Sequence, residues 1–155
     1  MDAVISAKQP TILVVDDTEL NRDLLHRRLK KNGYQVALAV DGQDALGQLQ
    51  GADFDLVLLD IMMPVMDGYQ VLEALKADPK LRHIPVIMIT ALSEMDSVVR
   101  CIELGAEDYL PKPFNPVLLQ ARINACLERK RAHDTELHYQ QRIEAHNGLL
   151  EEQVR

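Results

Sequence analysis

The sequence predicts an α/β fold built on a doubly wound parallel sheet, and two observations carry that reading. Five short runs rich in β-branched residues or leucine alternate with longer segments of helical period, the pattern of successive βα units. The apolar run Leu56-Val57-Leu58-Leu59 also ends on a carboxylate, Asp60, before Ile61-Met62-Met63-Pro64-Val65-Met66-Asp67-Gly68 turns the chain. An acid at the carboxyl end of a buried strand lies where open α/β sheets place their ligands.

The strand candidates are Thr11 to Asp16, Gln35 to Val40, Asp55 to Asp60, Pro85 to Thr90 and Glu107 to Leu110. A first helix is expected from Thr18 to Lys31, with Leu20, Leu24, Leu25 and Leu29 on one buried face and Asn32-Gly33 as its stop. A second follows Asp41-Gly42 and carries Ala45, Leu46 and Leu49. The third begins after Asp67, a good N-cap, buries Val71, Leu72 and Leu75, and ends at Asp78-Pro79. The fourth should run from Ser93 to Leu104 with Val98, Val99 and Ile102 inward and Gly105 as its stop. The fifth starts near Asn115-Pro116, where proline suits a first turn.

At 155 residues and 47% hydrophobic composition, the chain is long enough for one domain with a core and a modest extension. A formal charge of −7 argues against direct nucleic-acid binding by this segment, which would need a basic face. No apolar run approaches the roughly 18 residues of a membrane span, and Met1 to Pro10 does not read as a secretory signal. The expected location is the cytoplasm. Cys101 and Cys126 have no metal-type spacing and read as small packing residues.

The expected division is a domain over 1–127 and a helical extension over 128–155, where composition turns polar and charged. Ile143, Asn147, Leu150 and Val154 follow an a/d spacing, a coiled-coil signal over barely two heptads. The extension reads either as a solvated helix, as a dimer seam, or as a linker to an output domain. His133, His138 and His146 are not spaced to share adjacent helical turns, and they read as exposed residues.

In a doubly wound sheet the strand carboxyl ends share one edge. That edge should gather Asp16 and Asp17 after the first strand, Asp60 after the third, Thr90 after the fourth and Lys112 after the fifth. Two carboxylates about 5 Å apart repel by about 3 kcal/mol at an effective dielectric of 20, so three call for a cation. Mg²⁺, a hard ion that prefers oxygen ligands, answers that need. With charge neutralised in this way, Asp60 can act as a nucleophile toward phosphorus while Lys112 and Thr90 meet the phosphoryl oxygens.

The Asp16-Asp17 pair, the D-x-x-M-P-x-M-D-G string from Asp60, Thr90-Ala91 and Leu110-Pro111-Lys112-Pro113-Phe114 together resemble a two-component response regulator receiver domain over about residues 10 to 127. The resemblance implies a flavodoxin-like (βα)₅ fold with strand order 2-1-3-4-5. It implies Asp60 as phosphoacceptor, supplied by a sensor histidine kinase, a histidine phosphotransfer protein or a small phosphodonor. It implies Mg²⁺ on Asp17, Asp60 and the Met62 backbone carbonyl, with Asp16 acting through water, and a cis Lys112-Pro113 peptide. Such a domain is a phosphoacceptor signalling domain and not an enzyme; it catalyses only its own phosphorylation and dephosphorylation. Thr90 and Tyr109 would move together as a switch, with Ala91 leaving room. A homodimer through the C-terminal helix, or through the face of the fourth helix, fifth strand and fifth helix, would fit.

Two other classes compete. An aspartyl-nucleophile phosphatase of the haloacid dehalogenase type needs D-x-D after its first strand, whereas Asp16-Asp17-Thr18 stands here. A phosphorylation-independent dimerisation module would not need the acidic cluster. Met62 and Leu92, each two residues beyond a site residue, are apolar and cannot orient an attacking water, so self-dephosphorylation should be slow. Replacing Met62 with Asn should shorten the aspartyl phosphate lifetime, measured as phosphate release after a chase; equal or slower decay in Met62→Asn rejects that role for position 62.

Overall fold

In a computed structural model of the chain, the described backbone covers residues 9–91, 95–113 and 115–154, with side chains described except at 95, 96 and 144–154. Five strands, β1 (Thr11–Val15), β2 (Gln35–Ala39), β3 (Leu56–Asp60), β4 (Val86–Thr90) and β5 (Asp108–Pro111), alternate with five helices. The helices are α1 (Glu19–Lys31), α2 (Gly42–Gly51), α3 (Gly68–Ala77), α4 (Met95–Glu103) and α5 (Pro116–Val154). The strands form one parallel sheet in the order β2-β1-β3-β4-β5. The flavodoxin-like expectation therefore holds, including the strand order.

The two-residue period of the strands divides the core into two layers. Leu13, Val15, Val57, Leu59, Val86 and Met88 face α2, α3 and α4, and pack against Ala45, Leu49, Val71, Leu72, Leu75 and Cys101. Ile12, Val14, Leu56, Leu58, Ile87, Ile89 and Leu110 face α1 and α5, and pack against Leu25, Leu29, Leu119, Ile123 and Cys126. Every residue of β3 and β4 is buried, since both faces of these central strands are covered. The free cysteines Cys101 and Cys126 lie in opposite layers, as packing residues should.

Local signals define the helix ends. Asp67 caps α3 in a capping box: its side chain accepts from the Gln70 N–H while Gln70 accepts from the Asp67 N–H. At the ends of α1 and α4, Gly33 (φ 93°) and Gly105 (φ 103°) take the left-handed conformation. The following residues, Tyr34 and Ala106, bond back to Leu29 and Cys101, completing a Schellman stop in each case.

Two expected helix faces are corrected. Leu25 and Leu29 are buried in α1, but Leu20 and Leu24 are 66% and 50% exposed. A helix laid on a sheet buries one stripe, and these two leucines fall on its flank. Among the described side chains of α4 the buried positions are Ser97 and Cys101, four residues apart, with Val98 half-buried, whereas Val99 and Ile102 are exposed. The expected start of this helix at Ser93 lies outside the described residues.

Helix α5 runs without a break through the expected boundary at 127 and reaches 39 residues, about 58 Å at helical rise. Beyond that boundary it still touches the domain. Lys130 lies 3.9 Å from Asp55 at the entrance of β3 and 2.7 Å from Asp134, and the His133 ring stacks on His83 with centroids 5.9 Å apart. Leu137, Tyr139 and Ile143 are exposed farther along. The side chains of His146, Asn147, Leu150 and Val154 lie outside the described residues, so only Ile143 of the a/d series can be placed.

Gly68 offers a direct test of how α3 is seated. Its N–H donates to the Ile61 carbonyl at 2.8 Å, and a Cβ here would collide with the Asp60 carbonyl oxygen and the Ile61 Cα. Because both are backbone, the clash cannot be relieved by turning a side chain. Gly68→Ala should lower stability by about 2–3 kcal/mol, read by urea unfolding, the range of an overpacked core.

Candidate functional site

Strand register brings the acids together. Val15 pairs with Leu59 and Asp60 with Ile89, so Asp16, Asp60 and Thr90 arrive at one edge within a residue of each other. Lys112 reaches the same edge from just beyond β5, its N–H donating to the Thr90 carbonyl at 2.7 Å and the next peptide, Lys112-Pro113, being cis as expected.

Asp16 (1% exposed) and Asp60 (4%) are buried, and Asp17 is exposed beside them. One carboxylate oxygen from each of the three lies within 4.8 Å of the others. Lys112 Nζ bridges two of them, at 3.3 Å from Asp16 Oδ2 and 3.2 Å from Asp60 Oδ1. Among the described residues Lys112 is the one cation paired with these carboxylates, so the three acids outnumber the charge bonded to them. The donor set, hard oxygens on two strand ends, suits a hard divalent cation.

Burial pushes the Asp60 carboxyl up, and the Asp16 charge adds to it, reaching about 6 despite the opposing Lys112 charge and the Met62 N–H. For Lys112, burial pulls the ammonium down, but Asp60 and Asp16 outweigh it and hold the group above the ordinary lysine value.

Neighbours of Asp16 that were not expected hold it in place. Its Oδ1 accepts from the Thr18 N–H at 2.8 Å, the Asn21 side-chain amide donates to Oδ2 at 3.3 Å, and the Arg22 guanidinium donates to its carbonyl at 2.8 Å. The only sequence signal for Asn21 and Arg22 was polarity in the first turn of α1, and that is what any helix start shows.

The loop from Asp60 to α3 is held tightly. Val65 has φ 68° and is flanked by a 2.7 Å bond from the Met66 N–H to the Pro64 carbonyl, a three-residue turn that a β-branched residue adopts at a cost of about 1–3 kcal/mol. Met66 packs back toward the start of α2, where a Cβ on Gly42 would lie 2.8 Å from its sulfur. Met62, at the start of this loop, is 61% exposed.

Thr90 is buried at 1% exposure at the end of β4, and Ala91 lies exposed next to it on the wall of a cavity that also touches Asp16 and Lys112. Tyr109 is half-buried in β5 and packs against the α2–α3–α4 layer, with the Arg122 guanidinium 6.0 Å from its ring centre. Arg122 is fixed by Asp108 at 2.9 Å. Leu92, expected to overlook the site, and Phe114, at the end of the lysine-bearing string, lie outside the described residues. His133 and His138 are exposed; His133 nevertheless finds His83.

The response regulator receiver domain description matches residues 12–124. The chain is 45% identical over 119 residues to the response regulator PleD of Caulobacter vibrioides, covering 77% of this chain and 26% of that protein. It is 47% identical over 118 residues to the probable transcriptional regulator ycf27 of Cyanophora paradoxa, covering 76% and 48%. It therefore spans between a quarter and a half of these relatives. Among solved structures, the chemotaxis protein CheY4 of Vibrio cholerae superposes with a TM-score of 0.74 at 32% identity, over 77% of this chain and all of that one. A CheY-like receiver domain protein of Methanospirillum hungatei gives 0.75 at 30%, over 81% and 99%.

Asp60 has a folded pKa above the ordinary 3.8, so its charge lowers stability as pH rises from about 4 through about 6. In metal-free protein, Asp60→Asn should therefore be more stable than wild type at pH 7.5 by about 1–2 kcal/mol, below the full linkage value because Lys112 keeps only one carboxylate partner. The difference should vanish below about pH 4. Urea unfolding in chelator across that range checks it, and a pH-independent difference would contradict the assignment.

Proposed function

The chain belongs to the response regulator receiver family, and from that membership we propose that it accepts one phosphoryl group on Asp60 and changes conformation in response. The observation that supports this most directly is Lys112 bridging Asp16 and Asp60 in a pocket with three converging carboxylates.

An Asp60 oxygen attacks phosphorus in line with the departing group. The new P–O bond forms as the bond to the donor breaks, the P–N bond when the donor is a phosphohistidine, and the leaving imidazole takes up a proton from solvent. Lys112 shifts from Asp60 to the incoming phosphoryl oxygens, and the Thr90 hydroxyl donates to them. Bound Mg²⁺ would neutralise charge on those oxygens; Asp17 and Asp60 would hold it directly, with the Met62 carbonyl, and Asp16 through water. Donors are a sensor histidine kinase, a histidine phosphotransfer protein or a small acyl phosphate. The domain thus catalyses only its own phosphorylation and loss of phosphate.

The output is a change of population between two states, biased by contacts the phosphoryl group makes in one of them. Thr90 is drawn toward the phosphoryl group through the space beside Ala91, and Tyr109 repositions on the α4, β5 and α5 face. That face or the exposed Leu137, Tyr139 and Ile143 of α5 would support pairing with a second copy, and residues 128–155 would lead to an output domain. No helix of the described residues is long and apolar enough to cross a membrane. A haloacid dehalogenase-type phosphatase is disfavoured by Asp17 and Thr18 where D-x-D would stand, and by the family match.

Reaction with a small acyl phosphate and Mg²⁺, followed by borohydride trapping and mass spectrometry, should place the label at Asp60 alone and at no more than one per chain. Label at another position overturns the assignment. Asp17→Asn should reduce the phosphorylation rate by about 100-fold or more at the same Mg²⁺ concentration, the scale of losing charge stabilisation of a transition state. Sedimentation velocity with and without phosphodonor, in wild type and Asp60→Asn, reports pairing; the same pairing in both proteins whether or not phosphodonor is present would favour a phosphorylation-independent module.

A further inference from the structure

The edge of the sheet opposite the phosphoacceptor has the reverse charge problem. A cavity of about 330 Å³ there is lined by Arg82 and His83 from the segment entering β4, by Glu107, and by Arg129, Lys130 and His133 of α5. Three permanent cations thus face one carboxylate, in a chain whose formal net charge is −7.

We infer that this cavity binds a small multivalent oxyanion of the phosphate or diphosphate class, held between the segment entering β4 and the turns of α5 just beyond residue 127.

The local acids are already engaged. Glu107 faces Lys76 at 3.8 Å, and Asp108, which also lies near Arg129, is held by Arg122 at 2.9 Å. The cations are not equally engaged. Arg82 donates no side-chain hydrogen bond and makes no ion pair among the described residues; its backbone N–H donates to the Asp78 carbonyl at 2.9 Å and its carbonyl accepts from Lys76 at 3.0 Å. Arg129 donates to the Cys126 sulfur at 3.4 Å, a weak acceptor that leaves most of its five N–H donors unused. Lys130 is paired with Asp134 and Asp55 and contributes field more than free donors. His83 and His133, stacked 5.9 Å apart, add ring N–H groups on the same wall.

Two guanidinium forks meet a phosphate group well, since each can donate two parallel hydrogen bonds to adjacent oxygens. The volume is near the lower end of ligand cavities, about 300 Å³, so it admits a phosphate or diphosphate group but not an enclosed nucleotide. A nucleotide would insert only its phosphates. Because the donors come from two elements, the anion would pin the start of the extension to the domain. It would thereby stiffen the path along α5 without touching Asp60.

The test is isothermal titration of the full chain with sodium diphosphate at low ionic strength, with chelator present so that no metal complex can occupy the acidic edge. One saturable site is expected in wild type. The double variant Arg82→Ser, Arg129→Ser should bind at least tenfold more weakly, while Lys31→Ser, Arg131→Ser, which removes the same charge outside the cavity, should bind as wild type does. All four side chains are exposed, so both double variants should fold; circular dichroism checks this. A parallel titration with ADP separates the sources, since tighter binding than diphosphate points to a nucleotide and equal binding to the free anion. Hydrogen exchange at 128–134 should slow on saturation. Absence of saturable binding in wild type, or equal loss of affinity in the two double variants, overturns the proposal.

Discussion

The feature on which the rest of the structure depends is a shortage of positive charge at one edge of a parallel sheet. Three carboxylates converge there against a single ammonium, and Lys112 spans the two buried ones. Buried carboxylates are tolerated only when paired, hydrogen-bonded or neutralised. Asp16 meets that demand through Thr18, Asn21 and Lys112. Asp60 meets it only in part, and its pKa rises to about 6. The group left least satisfied is therefore the one best placed to gain from a cation and from a new covalent partner.

Holding Asp60 in that condition requires rigid backbone around it. Gly68 lets α3 approach the end of β3 more closely than any side chain would allow, and the capping box at Asp67 fixes where that helix begins. The turn at Val65 stores strain that the neighbouring contacts of Met66 and Gly42 retain. On the far side, Lys112 is tied to the end of β4 through the Thr90 carbonyl. A shift at Thr90 is thus mechanically connected to the segment that carries the ammonium, and so to β5 and the start of α5.

Helix α5 joins the two ends of the molecule. Its first turns cover the sheet through Leu119, Ile123 and Cys126, and Gln120 bonds both Asn32 and Tyr34 near the end of α1. Past residue 127 it still rests on the domain through Lys130 and His133. Because it is one continuous helix, a displacement near Pro116 would be carried along its length instead of being absorbed by a hinge. The contacts at 128–134 would decide how much of that displacement reaches the exposed turns at 135–143.

Much of this was legible in sequence because it depends on local period and on turn chemistry. The five strands, their alternation with helices, the stops at Gly33 and Gly105 and the acids at strand ends follow from residue order, since period and backbone conformation are local properties. The fold and the family likewise rest on strings such as Asp60 to Gly68. What sequence could not decide was which flank of a helix meets the sheet: Leu20, Leu24, Val99 and Ile102 satisfy helical spacing yet remain exposed. Nor could it reveal Asn21 and Arg22 behind Asp16, since which side chains of the first turn of α1 reach back to the strand end depends on how the helix leaves β1, or His83 beneath His133, a contact between segments far apart in the chain. Residue order determined which groups reach each edge of the sheet; tertiary packing alone decided their distances, and distance sets how strongly charges at one edge act on one another.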